Sequence, residues 1–194
     1  MIDLLPESEA ARETWQAVID LARHRPDGWT LIGAQMVVLH GLERGRLLPR
    51  LTADADVLVD VRLVASGIRE VSSDLVGAGF ELSDPDPFGV AHRFRRGKAT
   101  LDVLAPDGLG KRSDLTTVPP CRTIRCPGGS QALRRSERTE VRLGGETVAI
   151  PRPNLLGAIL IKARAVFGER PCRGPAPGSG LPANPPERSP CGLE

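Results

Sequence analysis

Two aspartates stand at alternate positions at the head of an aliphatic run, Asp54-Ala55-Asp56-Val57-Leu58-Val59-Asp60-Val61. Valine and leucine in near-unbroken succession suit a pleated, buried strand, so the run predicts a central strand over residues 54–61. Side chains of a strand alternate between faces, which puts the Asp54 and Asp56 carboxylates on one side, roughly 7 Å apart along the backbone. A core strand carrying two charges on one face needs layers packed around it and something to satisfy those charges.

The flanking sequence supplies layers of both kinds. Apolar residues recur at helical spacing from Glu7 to Ala22, and Pro26-Asp27-Gly28 ends that helix. Trp29 to Ile32 reads as a short buried strand, Gly33 as a turn, and Ala34 to His40 as an apolar helix closed by Gly41. Glu43 to Arg50 is a loop, and Ile68 to Gly77 is a helix. Phe80 to Leu82, Ala91 to Arg95 and Ala99 to Leu104 are strands broken by Asp84-Pro85-Asp86-Pro87 and by Gly97. Lys111 to Ser136 shows no periodicity, whereas Glu140 to Leu143 and Thr147 to Ile150 flank Gly144-Gly145 as a hairpin. Pro153 and Asn154 open a last helix with the stripe Leu155, Leu156, Ile159, Leu160, Ala163, Val166 and Phe167, closed by Gly168. The expected fold is α/β (α+β), a mixed sheet flanked by helices over residues 1–150, then a C-terminal helix over 151–168. Residues 169–194, rich in Pro, Gly, Ala and Arg, have nothing to offset ordering entropy and are expected to be a disordered tail. Codons of a GC-rich gene read out of frame yield such a mixture, and a frame shift just after Phe167 would account for it.

Charge and composition narrow the function classes. With 26 Lys and Arg against 24 Asp and Glu, the net charge is only +2, so the chain is no polycation and any nucleic-acid contact is local. No apolar run approaches the roughly 20 residues that span a bilayer, and the N-terminus lacks the pattern of a signal peptide, so a cytoplasmic protein with no membrane partner is expected. Cys121, Cys126, Cys172 and Cys191 lack the paired spacing of a zinc site and read as free thiols.

A third carboxylate completes the constellation. Asp102 sits within Thr100-Leu101-Asp102-Val103-Leu104, an aliphatic strand where an unpaired charge is expensive. Hard cations such as magnesium or manganese take oxygen ligands, typically one or two carboxylates plus substrate phosphates. Three carboxylates on neighbouring strands suit a two-metal displacement at phosphorus, in which one ion activates the attacking oxygen and the other steadies the leaving group. The residues equally allow a structural reading, in which Asp54 and Asp56 merely begin a strand and Asp102 pairs with an arginine such as Arg93 or Arg95.

Leu31-Ile32-Gly33-Ala34-Gln35-Met36-Val37-Val38-Leu39-His40-Gly41, followed by Leu51-Thr52-Ala53-Asp54-Ala55-Asp56-Val57-Leu58-Val59, resembles the opening of the minimal nucleotidyltransferases, especially the AbiEii-like toxin group. The resemblance covers roughly residues 25 to 105 and implies a nucleotidyltransferase-like fold. It implies catalytic and metal-binding roles for Asp54, Asp56 and Asp102. It also implies a donor nucleoside triphosphate held by backbone N–H groups of Gly33 and Ala34 at a helix N-terminus. The acceptor is a transfer RNA, a protein or a small molecule, with an antitoxin as a further partner. Ala34 departs from the Gly or Ser usual in that family, and the long loop over residues 42–50 is a second departure. A catalytically inactive relative that binds nucleotide or a partner protein is the alternative.

Lys162 falls on or beside the apolar stripe of the last helix, where it reaches the triphosphate or else snorkels to water. His40 reads as a helix-end residue bonded to the last carbonyls, and Asp60 as structural. The cluster from His92 to Lys98 either guides phosphate toward Asp102 or forms a solvated hairpin edge.

Overall fold

The computed structural model describes residues 1–46 and 53–168. Thr52, the expected tail, Cys172 and Cys191 lie outside the described residues. Nine strands and five helices are described: β1 (Ile2–Asp3), α1 (Glu9–His24), β2 (Trp29–Ile32), α2 (Gly33–Leu42), β3 (Asp54–Val59), α3 (Gly67–Gly77), β4 (Glu81–Leu82), β5 (Arg93–Arg96), β6 (Ala99–Pro106), β7 (Arg125–Cys126), α4 (Gly129–Arg134), β8 (Ser136–Leu143), β9 (Glu146–Pro153) and α5 (Leu155–Gly168). The expected mixed α/β architecture is what the chain adopts. Among the described residues, no helix is long and apolar enough to cross a membrane.

The principal sheet runs β2-β3-β6-β5-β4, with β7 pairing the far end of β6. β3 and β6 are parallel, and the other neighbours along that path are antiparallel. A second sheet, β1-β8-β9, is built on the Gly144-Gly145 hairpin. Strand parity divides the principal sheet into two cores. Ala55, Val57, Val59, Leu101, Val103 and Ala105 belong to the larger core, with Trp15, Val18 and Ile19 of α1 and Ile68 and Val71 of α3. Leu58 and Leu104, of opposite parity, belong to a smaller core with Met36 of α2, Ala132 of α4, and Ala158 and Ile161 of α5. Each such side chain contributes about 1.5–3 kcal/mol when fully buried, and this double burial makes β3 and β6 the rigid centre of the molecule.

Local chemistry sets the helix ends. Ser8 caps α1 by accepting the Ala11 N–H at 3.1 Å, Glu9 lies in the first turn, and Arg23 and His24 lie in the last, as the helix dipole favours. β2 passes into α2 without a loop, because Gly33 takes φ +70°, a left-handed conformation that only glycine adopts cheaply. Gly41 does not end α2 as expected. Burial of Met36, Val38 and Leu39 carries the helix through to Leu42, and one glycine in a helix costs only about 1 kcal/mol.

Three further expectations are corrected. The stretch from Lys111 to Ser136 contains β7 and α4, because Asp107 accepts the Gly128 N–H at 2.7 Å and the Ser130 N–H at 2.9 Å and so nucleates that short helix. The boundary expected at residue 150 falls inside β9, which continues to Pro153, and Asn154 alone caps α5 by accepting the Gly157 N–H at 3.0 Å. The stripe assigned to α5 is inverted: Leu155, Leu156, Ile159 and Val166 are exposed, and Gly157, Ala158 and Ile161 face the protein. The helix is apolar on both sides, so periodicity could not choose a face. Close packing chose it, since a Cβ on Gly157 would lie 3.0 Å from both Arg135 and Pro153. The outward side forms an apolar groove with Val37 and His40 of α2.

Candidate functional site

Asp54, Asp56 and Asp102 share the parity of Leu58 and Leu104, so they project from the face covered by α2, α4 and α5, at the end of β3 where that cover stops. Register makes Asp56 and Asp102 direct partners across the parallel β3–β6 pair, with Asp54 opposite Thr100. Across β6 on its other side, Arg93 of β5 is the partner of Asp102. One row of the sheet therefore reads Ile32, Asp56, Asp102, Arg93, with Asp54 on the same face of β3 two residues before Asp56.

Gly33 closes this row on the α2 side. A Cβ there would lie 1.7 Å from Asp56 Oδ2 and 2.7 Å from Asp56 Cγ. Absence of a side chain is thus what lets the helix start come up against the carboxylate. Gly33 and Ala34 are both half-buried, and α2 has no side-chain cap, so its first turn presents backbone N–H groups beside the aspartates.

The electrostatics of the row are uneven. Asp102 is 6% exposed, and its carboxylate is held by a two-pronged pair: Arg93 Nε donates to Oδ1 and Nη2 to Oδ2, each at 2.8 Å. The same Nη2 lies 3.6 Å from Asp54 Oδ2. Asp56 has no such ion pair among the described residues. Burial first, then the Asp102 carboxylate and, less strongly, Asp54 push its pKa up from 3.8 to about 6, opposed by the charges of Lys162 and Arg93. Lys162, exposed on α5, acts on Asp56 through space rather than by contact.

The expected three-carboxylate metal set is not assembled in this conformation. Among the described residues no three acidic, histidine or cysteine side chains are grouped to hold a metal, and both Asp102 oxygens face Arg93. The donor chemistry nevertheless suits a divalent cation. Three carboxylates meet only two cationic groups here, and Asp56 has no direct ion pair among the described residues, so added positive charge between Asp54 and Asp56 would relieve the repulsion.

Other sequence candidates fall elsewhere. His40 is buried and turned toward β9 rather than toward its own helix end: its Nε2 lies 3.0 Å from the Pro153 carbonyl oxygen, and Arg152 Nη1 lies 2.8 Å from Nε2 and 3.1 Å from Nδ1. Arg152, 2% exposed, also pairs with Glu43 and Glu137, which makes this a structural network joining α2 to the β8–β9 hairpin. Asp60 accepts the Arg62 N–H at 3.0 Å, in the turn that follows β3. The basic cluster is divided rather than shared: Arg93 joins the site, Arg96 stacks 4.6 Å from the Phe80 ring centre, and Lys98 pairs with Glu9. Its strand is no edge, since β4 pairs outside it. Cys126, a free thiol, lies near enough to Asp56 and Asp107 for their charges to add to burial and raise its pKa to about 11. Arg93 was expected as a possible ion-pair partner of Asp102 and is that partner. Cys126 was missed as a neighbour of the site, and nothing local in the sequence marks it.

No protein-family profile matches this chain, and no curated protein matches it significantly. Among solved structures it is similar to the antibiotic-resistance factor ANT(2'')-Ia, whose solution structure reveals substrate-regulated conformation dynamics. That likeness spans 84% of this chain and 75% of the other at 13% identity, with a TM-score of 0.43. A likeness so distant carries no chemistry across, and the function must be argued from the aspartate row itself.

Proposed function

We propose that the chain is a nucleotidyltransferase that moves a nucleoside monophosphate from a nucleoside triphosphate to an acceptor hydroxyl. The observation that carries this reading is the cross-strand pairing of Asp56 with Asp102 directly beneath the Gly33 start of α2. It sets an anionic, cation-seeking patch against a half-exposed helix N-terminus, and a metal-bound polyphosphate complements that combination. Backbone N–H groups of Gly33 and Ala34 receive the phosphates, and Lys162 adds positive charge from the α5 side. Magnesium or manganese, when bound, would be held by Asp54 and Asp56 with Asp102, and would neutralise phosphate charge and polarise the phosphorus. In this reading the acceptor oxygen attacks the α-phosphorus in line, pyrophosphate leaves, and Asp102 takes the acceptor's proton.

The resemblance to AbiEii-like toxins supports a narrower form, in which the acceptor is a transfer RNA or a protein and an antitoxin restrains the enzyme. A small-molecule acceptor requires no partner protein. Two observations favour a second reading, a relative that binds nucleotide without turnover: Ala34 offers no hydroxyl, and Asp102 is engaged by Arg93. Incubation of the full chain with labelled triphosphates, magnesium and cell extract separates the two. Transfer of label that disappears in Asp54→Ala supports the enzyme. Saturable binding with no transfer under any condition supports the binding relative, and neither binding nor transfer ends both.

A further inference from the structure

The same row of residues carries an arginine where a pure carboxylate site would have none. Arg93 fills both hydrogen-bonding edges of Asp102 at 2.8 Å and reaches Asp54 at 3.6 Å, so one guanidinium bridges two of the three carboxylates. The pairing is fixed by fold rather than by chance contact, because Arg93 and Asp102 are cross-strand partners in the β5–β6 pair. The two ends of the pair differ in burial: the Asp102 side chain is 9% exposed, whereas that of Arg93 is 38% exposed. The carboxylate is held in place, and the guanidinium has solvent into which it can move.

Resting on the nucleotide-transfer reading, we infer that Arg93 is a built-in counter-ion that competes with divalent cation for Asp102 and Asp54, and that it yields its place only when an anionic polyphosphate is present to receive it. The argument is one of charge and geometry. A cation liganded by Asp102 needs an oxygen that Arg93 now occupies, and a planar fork on a carboxylate is among the stronger ion pairs available to a protein. A bare cation would have to strand a guanidinium beside its own charge. A cation arriving with a triphosphate brings phosphate oxygens that match the same fork, so Arg93 exchanges one anionic partner for another. Arg93 is accordingly a positioning residue that makes metal binding conditional on nucleotide. It also gives the Asp102 side chain two hydrogen-bonding partners in an otherwise aliphatic strand.

The test is a manganese titration of the full-length chain followed by the electron paramagnetic resonance signal of free Mn²⁺, with and without a triphosphate whose α,β-bridge is a methylene. Wild type should bind bare Mn²⁺ weakly, and the analogue should tighten it by a factor on the order of 10 to 100, the usual range of coupling between two ligands. Arg93→Gln should bind bare Mn²⁺ about tenfold tighter than wild type and lose most of the enhancement by the analogue. Arg93→Lys keeps the charge without the fork and should fall between them. Because it leaves Asp102 with a counter-charge, it also serves if Arg93→Gln does not fold by circular dichroism. Bare Mn²⁺ binding that is no tighter in the folded variants overturns the inference. If that result comes with nucleotide-dependent Mn²⁺ binding that Asp56→Ala abolishes, the nucleotide-transfer reading survives and only the role of Arg93 is lost. If Mn²⁺ binds no chain, with or without the analogue, both fall together.

Discussion

Asp56 is held in the folded chain at an energetic loss that can be measured. Its pKa is raised from 3.8 to about 6, chiefly by burial and next by the Asp102 carboxylate. The folded carboxyl therefore binds its proton more tightly than the unfolded one. Its contribution to stability is fully present below about 3.8 and is lost as pH rises through about 6. A difference of about two pH units at 1.36 kcal/mol each makes the ionised side chain unfavourable by about 3 kcal/mol at pH 8, as much as one or two fully buried aliphatic residues contribute. Asp56→Asn removes the charge and keeps the shape. It should raise unfolding stability by about 3 kcal/mol at pH 8, or about 6–12 °C in Tm for a domain of this size, and by only about 1 kcal/mol at pH 4.5. Urea denaturation at the two pH values reads both numbers. The same substitution should abolish nucleotidyl transfer, so stability and activity move in opposite directions. A variant no more stable than wild type at pH 8, or one with an equal gain at both pH values, would refute the claim that buried like charges load this position.

Three further predictions bear on the surroundings of the row. Gly33→Ala puts a Cβ 1.7 Å from Asp56 Oδ2 at φ +70°; it should cost about 1–2 kcal/mol in backbone strain and, by displacing the carboxylate, roughly 100-fold in the proposed nucleotidyl transfer, measured by denaturation and by steady-state rates. Ile161→Ala, at 4% exposure, should cost about 2–4 kcal/mol, whereas Ile159→Ala, at 56% exposure, should stay within about 0.5 kcal/mol; equal effects would restore the inverted stripe. His40 has its pKa lowered by burial first and by the Arg152 charge second, so Arg152→Met should let the imidazole titrate at higher pH, followed by the nitrogen-15 shifts of its ring.

Sequence periodicity located the elements with one strong signal each. α1 and α3 were legible because each buries a single face, so the apolar spacing has one period and one direction, and β2 and β3, buried on both faces, were legible as short aliphatic runs. It failed where a helix is apolar on both sides or where side chains do the folding. α5 shows the first case: Leu155, Ile159 and Val166 outweigh Ala158 and Ile161 in any hydrophobic count, yet the small residues at 157 and 158 decide which side can approach α4. α4 shows the second: six residues carry no period of their own, and the helix exists because Asp107, more than twenty positions upstream, accepts its first N–H groups.

The site divides along the same line. Asp54 and Asp56 announce themselves by spacing alone, since two charges at alternate positions in an aliphatic strand can only share a face. Asp102 was marked out by its aliphatic neighbours, and Arg93 or Arg95 could be named as its partner, but the choice between the two was not legible, because a cross-strand register is a property of two hydrogen-bonded strands and of the Gly97 turn that sets their offset. That register supplies Asp102 with a cation and leaves Asp56 without one. A sheet that offers one guanidinium to three carboxylates cannot satisfy all of them. The shortfall falls on the residue closest to the half-exposed start of α2, where an incoming ligand can make it good. The deficit of charge and the gap at Gly33 thus coincide, and a site built only for structural stability would have no reason to combine them.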